Sequence, residues 1–237
     1  MNASARRINK LAAHFKYRRY LEIGVLAGTT FLDVEMPERT AVDPGFAFDY
    51  KAHENNSTKF FRMMSDDYFA NTPFSPAFDI AFIDGFHSFE QVVRDLTNAV
   101  LRTHPASVIV LDDTVPDDIY SVINHPGKHA EYRKLDQAPG RGWQGDVFKS
   151  VFFLHDFWPS LDYRTIVGGG NPQTIVWRAN GPARVPRYGD LETISRLTYF
   201  DFRENFERFN PVSEEDALAA CIAGVEAIVE QSSTKGQ

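Results

Sequence analysis

The chain has one cysteine, Cys221, in 237 residues. No internal disulfide can form, and such usage fits a reducing compartment, so a cytoplasmic location is expected. An excess of positive charge is also missing. Asp and Glu number 32 against 25 Lys and Arg, for a formal net charge of −7. An acidic chain gets no electrostatic help from nucleic acid or an anionic membrane surface, so small molecules are the expected partners. Long apolar runs are lacking too, and none approaches the roughly 18 residues that cross a bilayer. The polar, basic stretch from Met1 to Lys10 has no apolar segment behind it and does not read as a secretory signal. No repeat and no low-complexity segment appears.

What is present suits a globular protein: 43% apolar and 24% charged residues, at a length fitting one large domain with or without an appendage. Aromatic residues crowd the second half, as in Phe152-Phe153, Phe157-Trp158 and Tyr199-Phe200. Core packing and an aromatic-walled substrate pocket both account for them.

Apolar periodicity orders the elements. Residues 3–16 read as a helix with Ile8, Leu11, Ala12 and Phe15 on one face. Strands are expected at Tyr20–Val25, Thr40–Asp43, Lys59–Met64, Phe78–Ile83 and Ser107–Leu111. Gly28-Thr29-Thr30 opens a short helix after the first strand. Ser88 and Gln91 form an S-x-x-Q capping box before a helix carrying Phe89, Val92, Val93, Leu96, Ala99 and Val100. Thr114, Pro116 and Asp117 read as another helix start. Residues 147–154 fit helix or strand equally well. Tyr163–Val167 and Thr174–Arg178 read as an antiparallel hairpin, and Ser213 caps a final helix whose stripe includes Cys221. The alternation of strands and helices implies an α/β fold with a parallel sheet.

In such a sheet, ligands bind beyond the carboxyl ends of the strands. Polar residues stand at those ends here: Glu22 and Gly24, Asp43, Ser65 and Asp66, Asp84, then Asp112 and Asp113. Turn chemistry explains one or two of them, but the whole series poorly. The loop Glu22-Ile23-Gly24-Val25-Leu26-Ala27-Gly28-Thr29 lets backbone approach a ligand closely, and the helix after it would offer free N–H groups. A dinucleotide loop has G-x-G-x-x-G; here Glu22 holds the first glycine position, placing negative charge where a pyrophosphate would come. A cationic cofactor tolerates that charge. Asp43, 21 residues after Glu22, is placed to accept hydrogen bonds from a ribose diol. Asp66 either meets an adenine amino group or caps the helix that follows it.

The E-x-G-x-x-x-G-T loop, Asp43 and above all Ile83-Asp84-Gly85-Phe86-His87-Ser88-Phe89-Glu90 resemble class I S-adenosylmethionine-dependent methyltransferases. The closest likeness is to the metal-dependent small-molecule O-methyltransferase branch that tailors sugars and antibiotics. Asp112-Asp113 closing the fifth strand and Gly145-Asp146-Val147-Phe148-Lys149 are similar to segments of that branch. The resemblance spans roughly residues 18–180.

It implies a Rossmann-like seven-stranded sheet with helices on both faces, a methyltransferase domain over 1–180, and a C-terminal helical extension over 181–237 packed on the same domain. It implies S-adenosylmethionine held by Glu22, Gly24, Gly28, Thr29, Asp43, Ser65, Asp66 and Asp84, and a small hydroxylated substrate. It further implies Mg2+ on Asp84, Asp112 and Asp113, a carboxylate set that suits a hard ion. His87, whose ordinary pKa lies near neutrality, is then the expected general base, with Asp84 beside it. Arg141, Trp143 and Asp146 lie in a Gly-rich segment suited to a substrate lid. Two other readings stay open: an NAD-dependent oxidoreductase, and a non-catalytic binding protein of this fold. A homo-oligomer is compatible with the sequence.

Overall fold

The computed structural model describes residues 1–74, 76–140, 142–179, 181 and 184–234, with the side chains of 232–234 left aside. Arg141, one of the lid residues expected above, lies outside the described residues.

Five strands run parallel: β1 (Arg19–Ile23), β2 (Glu38–Val42), β3 (Thr58–Phe61), β4 (Phe78–Ile83) and β5 (Thr103–Leu111). The hairpin of β6 (Leu161–Ile166) and β7 (Gln173–Arg178) follows, with β7 antiparallel to β5. The order across the sheet is β3-β2-β1-β4-β5-β7-β6-β8. The last member, β8 (Pro211–Val212), pairs in parallel with β6 and makes the sheet eight-stranded rather than seven. Two residues without apolar alternation carry no strand pattern, so only the structure reveals it.

Helices cover both faces. On one lie α1 (Ala3–Phe15) and the long α8 (Glu214–Thr234), which packs on β5, β6 and β7. Ile8 and Leu11 of α1 meet Ala217, Cys221 and Val225 of α8 there, over Phe82, Val110 and Ile175 of the sheet. Cys221 is thus a core residue. The other face carries α2 (Ser65–Asn71), α3 (Phe89–Arg102), α5 (Lys149–Phe157), α6 (Leu191–Ser195) and α7 (Tyr199–Glu204); α4 (Pro126–Leu135) stands apart, above the carboxyl ends of the strands. The aromatics of the second half are mostly core: Phe148, Phe152, Phe202 and Phe209 pack edge to face. Among the described residues no helix is long and apolar enough to cross a membrane.

Three expectations need correction. The glycine loop leads only into a single 3-10 turn, Phe31–Asp33. Pro37 and the start of β2 at Glu38 follow too closely for an α-helix, and α1 covers that face instead. The stretch from Thr114 is a series of turns, and the helix begins at Pro126. His125 caps it, accepting from the amides of Gly127 and Lys128, a role usually taken by Ser, Thr, Asp or Asn. The capping box is half present. Ser88 Oγ accepts from Gln91 N at 3.3 Å, but the Gln91 side chain turns to Ser65, Asp66 and Asp95.

Candidate active site

A cavity of about 730 Å3 opens at the carboxyl ends of β1, β2, β4 and β5. Five carboxylates reach its wall: Glu22, Asp43, Asp84, Asp112 and Asp113. Gly24, Thr29, Ser65, His87 and Trp143 line it as well. Gly28 and Asp66 do not. Gly28 sits behind the wall against the ring of Phe48, and Asp66 faces outward to Arg94 and Gln91. Ser65 begins α2, and its Oγ accepts from Gln91 Nε2.

The loop after β1 is built by contact between strand ends. Gly24 has φ +84°, and a Cβ there would fall 1.9 Å from the carbonyl oxygen of Asp84. Only glycine lets the β1 and β4 ends meet. Asp43 then organises the loop. Its Oδ2 accepts from the amides of Val25 and Leu26, both at 2.8 Å, and its Oδ1 from Gly45 at 2.7 Å. The residue expected to meet a ribose therefore also pins the loop beneath one. Thr30 is tied to α1 by a hydrogen bond from Asn2 Nδ2.

The ends of β4 and β5 hold a tight trio. One ligand atom each from Asp84, His87 and Asp113 lie within 4.8 Å of one another. His87 Nε2 stands 3.5 Å from Asp84 Oδ1 and 3.2 Å from Asp113 Oδ2. Asp113 reaches inward from a left-handed backbone, φ +55°, which Asp tolerates better than most residues. His87 Nδ1 lies 2.9 Å from the Trp143 carbonyl. Since that carbonyl can only accept, the proton sits on Nδ1 and Nε2 is left to face the aspartates.

Electrostatics follow from burial. Burial alone would lower the imidazole, but the hydrogen bond and charge of Asp84, the charge of Asp113 and the Trp143 carbonyl raise it to about 9. Asp84 is raised by burial despite His87. Asp113 is pushed up to about 7 by burial, against the pull of His87 and with repulsion from Asp84. The two aspartates thus hold His87 toward its protonated form, which opposes proton uptake by the imidazole. This departs from the simple general base expected from sequence.

Asp112 takes a different place from the one expected for a ligand. Its carboxylate turns to the β6–β7 hairpin, where Asn171 Nδ2 donates to both oxygens (2.7 and 2.9 Å) and Gln173 Nε2 to one (3.2 Å). Gln173 Oε1 in turn accepts from Arg7 Nη1, and Arg7 Nε donates to Glu214. Arg7 is wholly buried. None of Arg7, Asn171 and Gln173 stood out in the sequence, because they are far from Asp112 along the chain and carry no pattern.

Trp143 brings the segment around it, the described residues 114–140 and 142–145, to the cavity. Arg133 knits it together, donating to Asp118 through Nη1 and Nη2 and to the Pro139 carbonyl. Trp143 stacks on His87, ring centroids 5.0 Å apart, with His129 on its other side at 6.1 Å. Asp146 is a brace rather than a surface residue: Oδ1 accepts from Phe89 N at the start of α3, and Oδ2 pairs with Lys149 at 2.9 Å.

Sheet order, glycine loop and the acid at the end of β2 together define the fold of class I S-adenosylmethionine-dependent methyltransferases. Residues 21–114 match the family model described as a methyltransferase domain. Among solved structures, a cofactor-bound protein of MTB, Rv0187, is similar over 75% of this chain and 81% of its own, with 16% identity and a TM-score of 0.54. A Klebsiella pneumoniae protein provisionally assigned as an O-methyltransferase has the same coverages and identity and a TM-score of 0.53. The S-adenosylhomocysteine-bound methyltransferase PaMTH1 of Podospora anserina is 13% identical over 74% of this chain and 78% of its own, with a TM-score of 0.51. No curated protein sequence matches significantly.

Proposed function

We propose that this protein transfers a methyl group from S-adenosylmethionine to a hydroxyl of a small molecule. The observation that carries the reading is that five acidic residues line one cavity whose near counter-charge is His87. Buried carboxylates of this density favour a cationic ligand. A pyrophosphate would meet Glu22 and would find a 3-10 turn where it needs a helix N-terminus, which weighs against a dinucleotide. Relatives by fold, one of them holding S-adenosylhomocysteine, support the same reading.

When bound, S-adenosylmethionine supplies an electrophilic methyl group. The chain's own part is orientation and proton handling. Asp43 holds the loop that would cradle the nucleoside, and Trp143 and Phe86 line the side left for the acceptor. The acceptor hydroxyl must lose its proton, and we assign its removal to a carboxylate of the Asp84–His87–Asp113 trio rather than to the imidazole.

The trio also fits a divalent cation. Two carboxylates and an imidazole nitrogen converge, and a cation there would displace the imidazole proton and itself offset the repulsion between the two acids. Asp84, His87 and Asp113 would hold it. With a nitrogen donor among the oxygens the set suits Mn2+ or a similar ion at least as well as Mg2+. Such an ion would lower the pKa of a bound hydroxyl.

Calorimetric titration with S-adenosylhomocysteine and with NADH tests the cofactor. Binding of the first alone is expected; binding of NADH alone would overturn the reading. A screen of hydroxylated acceptors with labelled S-adenosylmethionine, with and without a chelator, tests the reaction. Cofactor binding without turnover on any acceptor would instead favour a non-catalytic binding protein.

A further inference from the structure

We propose that Asp146 is a positioning residue for His87: by capping the helix that follows the His87 loop, it sets where the imidazole stands against Asp84 and Asp113. This rests on the reading of that trio as the chemical centre, and goes beyond it to what holds the ring in place.

His87 lies in the short loop between β4 and α3. A strap of four residues, 143–146, touches that loop at three points. The Trp143 carbonyl accepts from His87 Nδ1 at 2.9 Å. Gly145 lies so close to the His87 main-chain carbonyl that there is no room for a Cβ. Asp146 Oδ1 accepts from the amide of Phe89, the first residue of α3, at 2.7 Å. The strap is fixed from its other side, where the amides of Gln144 and Gly145 both donate to the Ser121 carbonyl at 3.0 and 2.9 Å.

The first amides of a helix need acceptors from outside the helix. Ser88 takes that of Gln91 from within the loop, whereas the acceptor for Phe89 comes from 57 residues away. Asp146 is itself held by Lys149, whose Nζ donates to Oδ2 at 2.9 Å and to the Ser195 carbonyl, at the end of α6, at 2.6 Å. Both members of the pair are buried, at 6% and 8% exposure. A buried ion pair is a poor device for stability alone, because desolvation offsets its attraction. Its effect here is placement. Without an acceptor the buried Phe89 amide would be left unpaired, and the loop would have to shift to find one. His87 is two residues from that amide and stands 3.5 and 3.2 Å from its two aspartate partners, so a small shift undoes the trio.

The test uses two double variants of the full chain, Asp146→Asn with Lys149→Met and Asp146→Ala with Lys149→Met. Both remove the ion pair and the bond to Ser195, and only the first keeps an acceptor for the Phe89 amide. Proton NMR reads the His87 Nδ1–H, which its bond to the Trp143 carbonyl shields from exchange, and calorimetry reads Mn2+ and S-adenosylhomocysteine. The Asn variant is expected to keep the protected Nδ1 proton and to bind Mn2+ within about threefold of wild type. The Ala variant should lose the protected proton and weaken Mn2+ by about tenfold or more, with S-adenosylhomocysteine moved by less than about twofold in both. The same Nδ1 signal in the two variants would overturn the proposal and leave the function reading intact. Equal losses of Mn2+ and S-adenosylhomocysteine in the Ala variant would mark a general loosening and overturn it as well. Wild-type protein that binds no Mn2+ would overturn the metal reading alone, since the Nδ1 proton still decides what Asp146 positions.

Discussion

Gly145 has no room for a side chain. A Cβ would lie 1.8 Å from the His87 carbonyl oxygen, and the backbone is left-handed, φ +59°. Gly145→Ala should therefore force the 143–145 segment off the His87 loop, at a cost of about 2 kcal/mol or more. A lowered melting temperature and a red shift of Trp143 fluorescence check it. At the trio the expectation is chemical. Asp113→Asn should weaken Mn2+ binding at least about tenfold, since even outer partners of a metal ligand are worth that much. Calorimetry reads this without any acceptor, and an unchanged affinity would remove the ion from the site. The sequence made Asp84 and His87 legible because a continuous apolar strand, β4, ends abruptly in polar residues. It could not assign Asp112, whose position is decided by amides on a hairpin 59 and 61 residues away.

The segment 114–145 is an element by virtue of one guanidinium. Arg133 is nearly buried and ties Asp118, Pro139 and Gly142 into one body, with the Tyr120 ring beside it. Arg133→Met keeps the length and removes every donor. Faster amide exchange across 118–142 is expected, with little change in β4 or β5. Uniform exchange throughout would show that the segment holds without it. The sequence shows a Gly-rich segment here but puts the helix start at Thr114 rather than Pro126. The cause is local: the cap is a histidine, and the polar helix α4 has almost no apolar stripe to announce it. The parallel strands β4 and β5 were legible for the opposite reason, as continuous apolar runs that end in buried residues. The shortened crossover after Gly28 was missed because a glycine loop says nothing of how many residues remain before the next strand.

At the scale of the molecule, the two terminal helices are clasped by charge. Arg6, Arg7 and Lys10 of α1 meet Glu214 at the start of α8. Burial would raise Glu214, but hydrogen bonds and charge from Arg6 and Arg7 overcome it and bring the carboxyl down to about 2, from 4.5. The unfolded chain thus binds a proton at higher pH than the folded one. The clasp's stability is whole above about pH 4.5 and is lost as pH falls toward 2. Glu214→Gln should lower the melting temperature at pH 7 and flatten its acid dependence between pH 4.5 and 2. A parallel shift of the whole curve would contradict this.

The same clasp has a consequence in time. Arg7 and Glu214 are 207 residues apart, so their pairing closes nearly the entire chain into a loop. A chain made from its N-terminus has its first helix early and the partner carboxylate late. Until residue 214 exists, burying Arg7 would strand a charge, so α1 has to wait in solvent while the strands assemble. Asp112 reaches Arg7 through Gln173 and Asn171, so that wall of the cavity sets with the clasp. A chain cut short of residue 214 is therefore expected to leave this wall of the cavity unset as well as the α8 side of β5, β6 and β7 uncovered.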